Sequence, residues 1–486
     1  MKVLIAAAEC APFAKVGGLA DAVSGVARTL ADVGVDPTVV IPFYSWIRSE
    51  HPVRQIGSMC GRQGDVAVWE ADCGEGDFQV WMVDPGHLFD RPGSAYTDMS
   101  GAAWPDSDRQ FWSFSEAVAD LAEDRAGLGW RADVVHVNDW HTAPVSLIMK
   151  ASGSAIPTVL SIHNHAFQGL FDKADLPYLK AHDFMPEDYE LHDQFSFLRA
   201  GVLSADELTT VSHSYRCELL RTPEGFGLED DFRRCVDRLV AIPNGIDTTR
   251  WNPATDPALK CGFSSRELSG KANNKVGLQA RLGLSMDPLA PLIAVVSRLT
   301  FQKMSDRVPE IAAAHLIENC SSQFVVLGRG DREIEERLKA FAAGHDKNFV
   351  YLDDYRETEA RRLLAGADML LHPSRFEPCG LVPIYAMRYG SVPIVTPTGG
   401  LNDLLGSEDV RSGFMASSLD ENAIVQTLSS AVRSFQQDPN WPDVVQAAMS
   451  VLRDWGDAAP EYLAAYRRAL GQSPDEVCAS ETVNLS

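Results

Sequence analysis

One stretch of this chain places an acid where group-transfer chemistry can use it: Ser374-Arg375-Phe376-Glu377-Pro378-Cys379-Gly380-Leu381. An apolar run at 369–371 precedes it, an amphipathic run at 382–390 follows, and residues 392–395 are apolar again. That grammar is strand, turn, short helix, strand. Loops after the C-terminal ends of parallel strands are where α/β proteins hold ligands. Glu377 can therefore face a sugar while the amides of Gly380, Leu381 and Val382, at a helix N-terminus, face a phosphate. A helix-capping carboxylate would choose the same location. Cys379 can simply pack small beside such a pocket.

Other residues could serve the same chemistry. Arg298 and Lys303, in Ser297-Arg298-Leu299-Thr300-Phe301-Gln302-Lys303, follow an apolar run and precede a helical pattern. Both side chains can reach a phosphate, although two solvated bases on a loop would look alike. Lys15-Val16-Gly17-Gly18 joins a first strand to a first helix; its glycines allow close backbone approach and Lys15 adds positive charge. Taken alone, that motif is a tight turn. Asp139 ends a strand in His136-Val137-Asn138-Asp139-Trp140-His141, and His163 ends another in His163-Asn164-His165. A lone His or Asn is more often structural; several at strand ends together point to a ligand site. No Asp-x-Asp metal signature follows a suitable strand, and Asp353-Asp354 reads as turn and cap. Basic residues, not a metal, are the expected route to neutralising a leaving phosphate.

The elements that must position these residues alternate along the chain. Residues 3–8 read as a buried strand, 19–33 as a helix stopped by Gly34, and 37–41 as the next strand. Further strands are expected at 80–83, 134–137, 158–162 and 208–211, with an irregular excursion over 84–109. A second series starts near Pro291. Its strands are 292–296, 324–327, 349–352, 369–371 and 392–395, and its helices 305–317, 333–341, 358–365 and the segment after Gly380. Such alternation argues a parallel α/β fold. Pro243-Asn244-Gly245-Ile246-Asp247 and the polar segment to Asn274 read as a junction. The expected domains are 1–245 and 246–472, both doubly wound, with a loose tail at 473–486.

A chain of 486 residues is too long for one core. With 45% hydrophobic and 23% charged residues it has an ordinary globular composition. The formal net charge of −24 argues against a nucleic-acid partner, which needs a basic face. No apolar run approaches the roughly 20 residues of a membrane span. The first run is cut by Glu9, so a core strand is expected there and not a secretory signal. The nine cysteines form no Cys-x-x-Cys pair and no visible disulfide framework. A cytoplasmic location is the expectation these features carry.

The motifs together resemble the glycogen and starch synthase family. Its opening motif matches Glu9-Cys10-Ala11-Pro12-Phe13-Ala14-Lys15-Val16-Gly17-Gly18, its phosphate motif matches residues 297–303, and its donor loop matches residues 374–381. Asp90-Arg91-Pro92-Gly93-Ser94-Ala95-Tyr96 is similar to the loop beside the family's active site, and Pro243-Asn244-Gly245-Ile246-Asp247 to its hinge and acceptor region. The resemblance runs from residue 1 to about 470.

The resemblance implies the GT-B architecture, two doubly wound domains facing across a cleft. It implies a retaining transfer of glucose from ADP-glucose to the non-reducing end of an α-1,4-glucan. Lys15, Arg298 and Lys303 would hold the diphosphate, with Gly17, Gly18, Gly380, Leu381 and Val382 assisting. Glu377, Asp139 and His163 would surround the transferring sugar, with Asn244 and Tyr96 towards the acceptor. No metal or prosthetic group is implied, and nothing marks a pyridoxal phosphate lysine. The alternatives are a GT-B transferase with another nucleotide sugar or a small acceptor, and a glucan-binding protein with an impaired site. The departures motivate them: Met304 stands where the family usually has Gly after the motif Lys, and Val382-Pro383 stand where it usually has Thr-Gln.

Overall fold

The computed structural model describes residues 1–62, 64–71, 78–173, 176, 178–179, 184–405, 411–451 and 453–472; the expected tail, 473–486, lies outside the described residues. These residues form two compact units. One is Met1–Gly245 with the chain from Trp455 onward; the other is Ile246–Asp454.

A strand buried on both faces needs no polar alternation, so continuous apolar runs become central parallel strands. In the first unit these are β1 (Lys2–Ala6), β2 (Asp36–Pro42), β5 (Gln79–Val83), β6 (Val134–Asn138), β7 (Thr158–Ile162), β11 (Glu207–Thr210) and β12 (Leu239–Ala241), joined by the hairpin β3 (Val53–Gly61) and β4 (Gly64–Ala71). The sheet order is β12-β11-β7-β6-β1-β2-β5-β4-β3. Pairing is parallel from β12 to β5 and antiparallel across the hairpin. Three short strands, β8 (Leu170–Phe171), β9 (Glu190–Leu191) and β10 (Gln194–Ser196), form a small separate sheet. The chain leaves β1 for β2 on one side and reaches β6 on the other, so the loops after β1 and β6 diverge. That is a topological switch point.

Helix Gly18–Asp32 turns its apolar face to this sheet. It ends at Gly34, whose φ of +82° lets its amide return to Ala31 at 3.0 Å. The chain from Trp455 packs on the same helix. A Cβ at Gly25 would lie 2.2 Å from the Trp455 ring, so only glycine fits that contact. Helix Ala459–Ala469 follows. Its Tyr466 hydroxyl is 2.9 Å from Nδ1 of His136 on β6, and Arg468 pairs with Glu207 at 3.0 Å.

The second unit carries β13 (Leu292–Val296), β14 (Gln323–Leu327), β15 (Phe349–Leu352), β16 (Met369–His372), β17 (Val392–Val395) and β18 (Phe414–Met415), in the order β15-β14-β13-β16-β17-β18. Every pairing is parallel. Its switch point lies between β13 and β16.

Four features depart from the sequence reading. The hairpin β3–β4 and helix Ser107–Ala122 were not expected, and helix Ser269–Leu282 occupies much of the polar segment read as a junction. That helix buries cations: Lys271 Nζ donates to the carbonyls of Ala367 at 2.7 Å and Tyr389 at 2.9 Å, and Lys275 pairs with Asp368 at 2.6 Å. The helix expected at 305–317 opens with a 3-10 turn, Ser305–Arg307, and continues as Val308–Glu318.

Candidate functional site

In the second unit the loops after β13 and β16 meet. Glu377 is buried, 6% exposed. Its Oε2 accepts from Lys303 Nζ, from His372 Nε2 at 3.1 Å and from Ser374 Oγ at 3.0 Å. Burial alone would raise this carboxyl. The Lys303 ammonium and the His372 hydrogen bond reverse that and hold it well below the usual carboxylate range. Glu377 is thus ionised at every working pH. Burial pushes His372 down, partly offset by its bond to Glu377.

The two loops are stapled into one body. The Arg375 guanidinium forks onto Asp306 at 2.7 and 2.9 Å and lies 3.7 Å from the Phe301 ring centre. Gln302 Nε2 donates to the Phe376 carbonyl at 3.2 Å. Arg298 is exposed on the same loop. Met304, beside Lys303, adopts φ +47° and is 4% exposed. The position has the left-handed backbone that glycine takes without strain, and the side chain is turned into the protein.

Gly380 caps helix Leu381–Arg388 with φ +85°, and a Cβ there would sit 2.8 Å from Leu401 Cδ2. The first residues of a helix have no intrahelical partner for their amides, so Leu381 and Val382 keep theirs, while Pro383 has none to offer. The Gly399–Leu401 turn runs directly beneath. Gly400 N donates to the Glu377 carbonyl at 2.8 Å, and a Cβ on Gly400 would meet the Cys379 carbonyl at 2.5 Å. Cys379 is buried against this turn.

In the first unit the ends of β1, β6 and β7 converge. Asp139 is buried, and its Oδ1 accepts the amides of His163 at 2.7 Å and Asn164 at 3.1 Å. Burial pushes its carboxyl up, partly offset by His163 and those amides. Asp139 also has φ +56°, a strained conformation that Asp tolerates better than most residues. His163 Nε2 is 2.9 Å from Asn138 Oδ1, and Asn138 Nδ2 donates to the Ala6 carbonyl at 3.0 Å. The amide orientation this requires assigns the imidazole proton to Nε2 and leaves Nδ1 as an acceptor. Burial pushes the His163 pKa down, which favours that neutral form.

The Lys15 loop lies at the end of β1. Lys15 Nζ is 2.8 Å from Asp21 Oδ1, and among the described residues, its chain neighbours apart, no atom lies within 4 Å of a Cβ built on Gly17, so that face is open. Gly18 starts the helix. Glu9 Oε2 accepts the amides of Val16 at 2.6 Å and Gly17 at 2.8 Å, and its Oε1 accepts the Tyr96 hydroxyl at 2.5 Å.

The structure thus brings Lys303 to Glu377, His163 to Asp139, and Tyr96, through Glu9, to the loop of Gly17. No hydrogen bond or ion pair among the described residues joins Asn244 or the Arg298 side chain to these clusters. Asn244 Oδ1 is buried without a partner among the described residues. The sequence reading passed over His372, Ser374, Asn138 and the bonding role of Glu9. All four lie within or beside the motifs, but a His inside an apolar strand reads as core.

The comparisons with known proteins fit this geometry. The family profile of the starch synthase catalytic domain matches residues 2–234, and that of the glycosyl transferases group 1 matches residues 290–434. A glycogen synthase of Burkholderia thailandensis is 39% identical over 479 residues, covering 95% of this chain and 90% of the relative. One from Granulibacter bethesdensis is 36% identical, covering 97% and 99%. The catalytic domain of starch synthase IV from Arabidopsis thaliana, solved bound to ADP and acarbose, superposes with a TM-score of 0.86 at 29% identity, over 97% of this chain and 99% of that one. Sucrose-phosphate synthase of Thermosynechococcus elongatus, at 16% identity and a TM-score of 0.63, shares the fold.

Proposed function

The chain belongs to the glycogen and starch synthase family of GT-B glycosyltransferases, and on that premise we propose a division of labour for its glucosyl transfer. The reaction breaks the bond between glucose C1 and the diphosphate of ADP-glucose. It joins C1, with the α configuration retained, to the 4-hydroxyl oxygen of a glucan's non-reducing end, and the hydroxyl proton leaves with the departing ADP.

The second unit takes the donor. Arg298, Lys303 and the amides of Leu381 and Val382 after Gly380 neutralise the leaving diphosphate, with Lys15 and the open Gly17-Gly18 face assisting from the first unit. Glu377 stabilises positive charge on the sugar. Three donors already converge on its Oε2, which lowers the basicity of that oxygen and favours an electrostatic role over covalent attack. The first unit takes the acceptor. His163 Nδ1 accepts a hydroxyl of the transferring glucose, which Asp139 also faces, and Asn244 and Tyr96 lie on the acceptor side. Among the described residues no helix is long and apolar enough to cross a membrane. We place the enzyme in the cytoplasm, where nucleotide sugars are made.

The observation that carries this reading is a buried carboxylate kept ionised by Lys303 beside a helix N-terminus. Its test is glucose incorporation into a glycogen primer from ADP-glucose and, in parallel, from UDP-glucose. Transfer from ADP-glucose is expected, and Glu377→Gln should lower kcat by about 100-fold or more, as loss of a preorganised electrostatic group does. No transfer from either donor by folded protein would overturn the reading.

A further inference from the structure

Glu9 is only 3% exposed, yet it does more than fill space at the end of β1. Backbone amides at and just before a helix N-terminus can hold an anion, and Val16 and Gly17 directly precede helix Gly18–Asp32. Here an internal carboxylate takes those of Val16 and Gly17. The same carboxylate accepts the Tyr96 hydroxyl. Tyr96 belongs to the segment 90–106, which the Arg91–Asp106 ion pair closes at 2.9 Å. Its ring lies 4.9 Å from that of His141, two residues beyond Asp139. Burial, then the charge of Glu9, pushes the Tyr96 phenol well up, so it keeps its proton and remains a donor. One side chain thus joins the backbone of the Lys15 loop to a segment beside the acceptor-side carboxylate.

We propose that Glu9 is a positioning residue that couples the two substrate sites: acceptor glucan settling against the Tyr96 segment is felt, through the Tyr96 hydroxyl and the Glu9 carboxylate, by the amides of Val16 and Gly17. Those amides fix the backbone of the loop that carries Lys15. The inference rests on the substrate assignment above. It deepens that assignment by naming the atoms through which one site reads the other. A brace with no such role would affect stability alone. A coupling element makes donor affinity depend on acceptor occupancy, and reciprocally.

The test is calorimetric titration of ADP into the full chain, with and without saturating maltotetraose. Wild type, Tyr96→Phe and Glu9→Gln are compared. Tyr96→Phe removes one oxygen and leaves the ring on His141, so it should melt close to wild type even if Glu9→Gln does not fold. Wild type should show an ADP Kd that falls about fivefold or more on adding maltotetraose. In Tyr96→Phe, with maltotetraose kept saturating by that variant's own measured maltotetraose Kd, the ratio should fall to about one. In turnover the same variant should raise the KM for ADP-glucose at saturating acceptor more than it lowers kcat. A wild-type ratio of one, or a folded Tyr96→Phe that keeps the wild-type ratio, would overturn the proposal. Absence of transfer with ADP binding and the ratio intact would instead sink the assigned reaction and leave the coupling standing.

Discussion

Met304 sets backbone strain against side-chain burial on one residue. Its left-handed φ of +47° costs about 1–2 kcal/mol that glycine would avoid. Its side chain, 4% exposed, contributes about 1.5–3 kcal/mol through burial. Burial outweighs strain, so Met304→Gly should lower stability by about 1 kcal/mol in urea titration despite relaxing the backbone. A gain in stability would show that strain dominates. The same balance explains how a departure from the family's glycine is accommodated: the side chain points into the protein, and the neighbouring Lys303 still reaches Glu377. At Glu377 the sequence motif disclosed the acid, and a separate motif disclosed Lys303 as a diphosphate ligand, but not their pairing, nor His372 or Ser374. What makes them partners is the bend of the chain after β16, and no spacing rule records that bend. Glu9 was visible as an interruption of an apolar run and as the start of the opening motif, but not as a brace, because its partners lie seven, eight and 87 residues later.

At the scale of elements, Gly25 on helix Gly18–Asp32 decides whether the C-terminal segment can dock. The 2.2 Å approach to the Trp455 ring leaves no room for a methyl group. Gly25→Ala should therefore cost about 1–3 kcal/mol by overpacking, outweighing the gain in helix propensity of about 1 kcal/mol. A fall in melting temperature checks this; an unchanged or raised one would mean that Trp455 moves freely. Helix and strand legibility followed burial. Parallel strands such as Thr158–Ile162 and Leu292–Val296 are apolar throughout because both faces are covered, and their positions were readable to within a residue or two. The hairpin Val53–Ala71 was not, because its strands are largely half-exposed and carry polar residues and glycines. Helix Ser269–Leu282 was missed because its buried face presents Lys271 and Lys275. Burial draws Lys271 down to about 7, and the carbonyls of Ala367 and Tyr389 replace the water it has lost.

For the whole molecule, acid should be more damaging than the net charge suggests. Burial holds His136 and His141 at about 3 and His165 at about 4. Unfolded, each would take a proton near pH 6.5. Below that pH the unfolded chain binds more protons than the folded one, so stability is lost as pH falls from about 6.5 towards the folded values. Each group contributes at most about 1.4 kcal/mol per pH unit. Calorimetric melting temperatures should therefore drop from pH 7 to pH 5; a flat profile would mean either that these imidazoles are charged in the folded state or that carboxyls raised by burial, such as Asp139 and Asp368, offset them. Glu377 adds nothing to that slope above about pH 5, because folded and unfolded forms are both ionised there.

The return of Trp455 and helix Ala459–Ala469 to the first unit bears on the order in which a ribosome can finish this protein. Residues 246–454 form a continuous piece that has all its strands once they emerge. Residues 1–245 emerge earlier but must wait, since Trp455 has not yet met Gly25, nor Tyr466 met His136. Domains usually complete from the N-terminus during synthesis; here the unit begun first is the one closed last. A premature stop just after Asp454 would therefore spare the unit it follows and injure the one synthesised long before it.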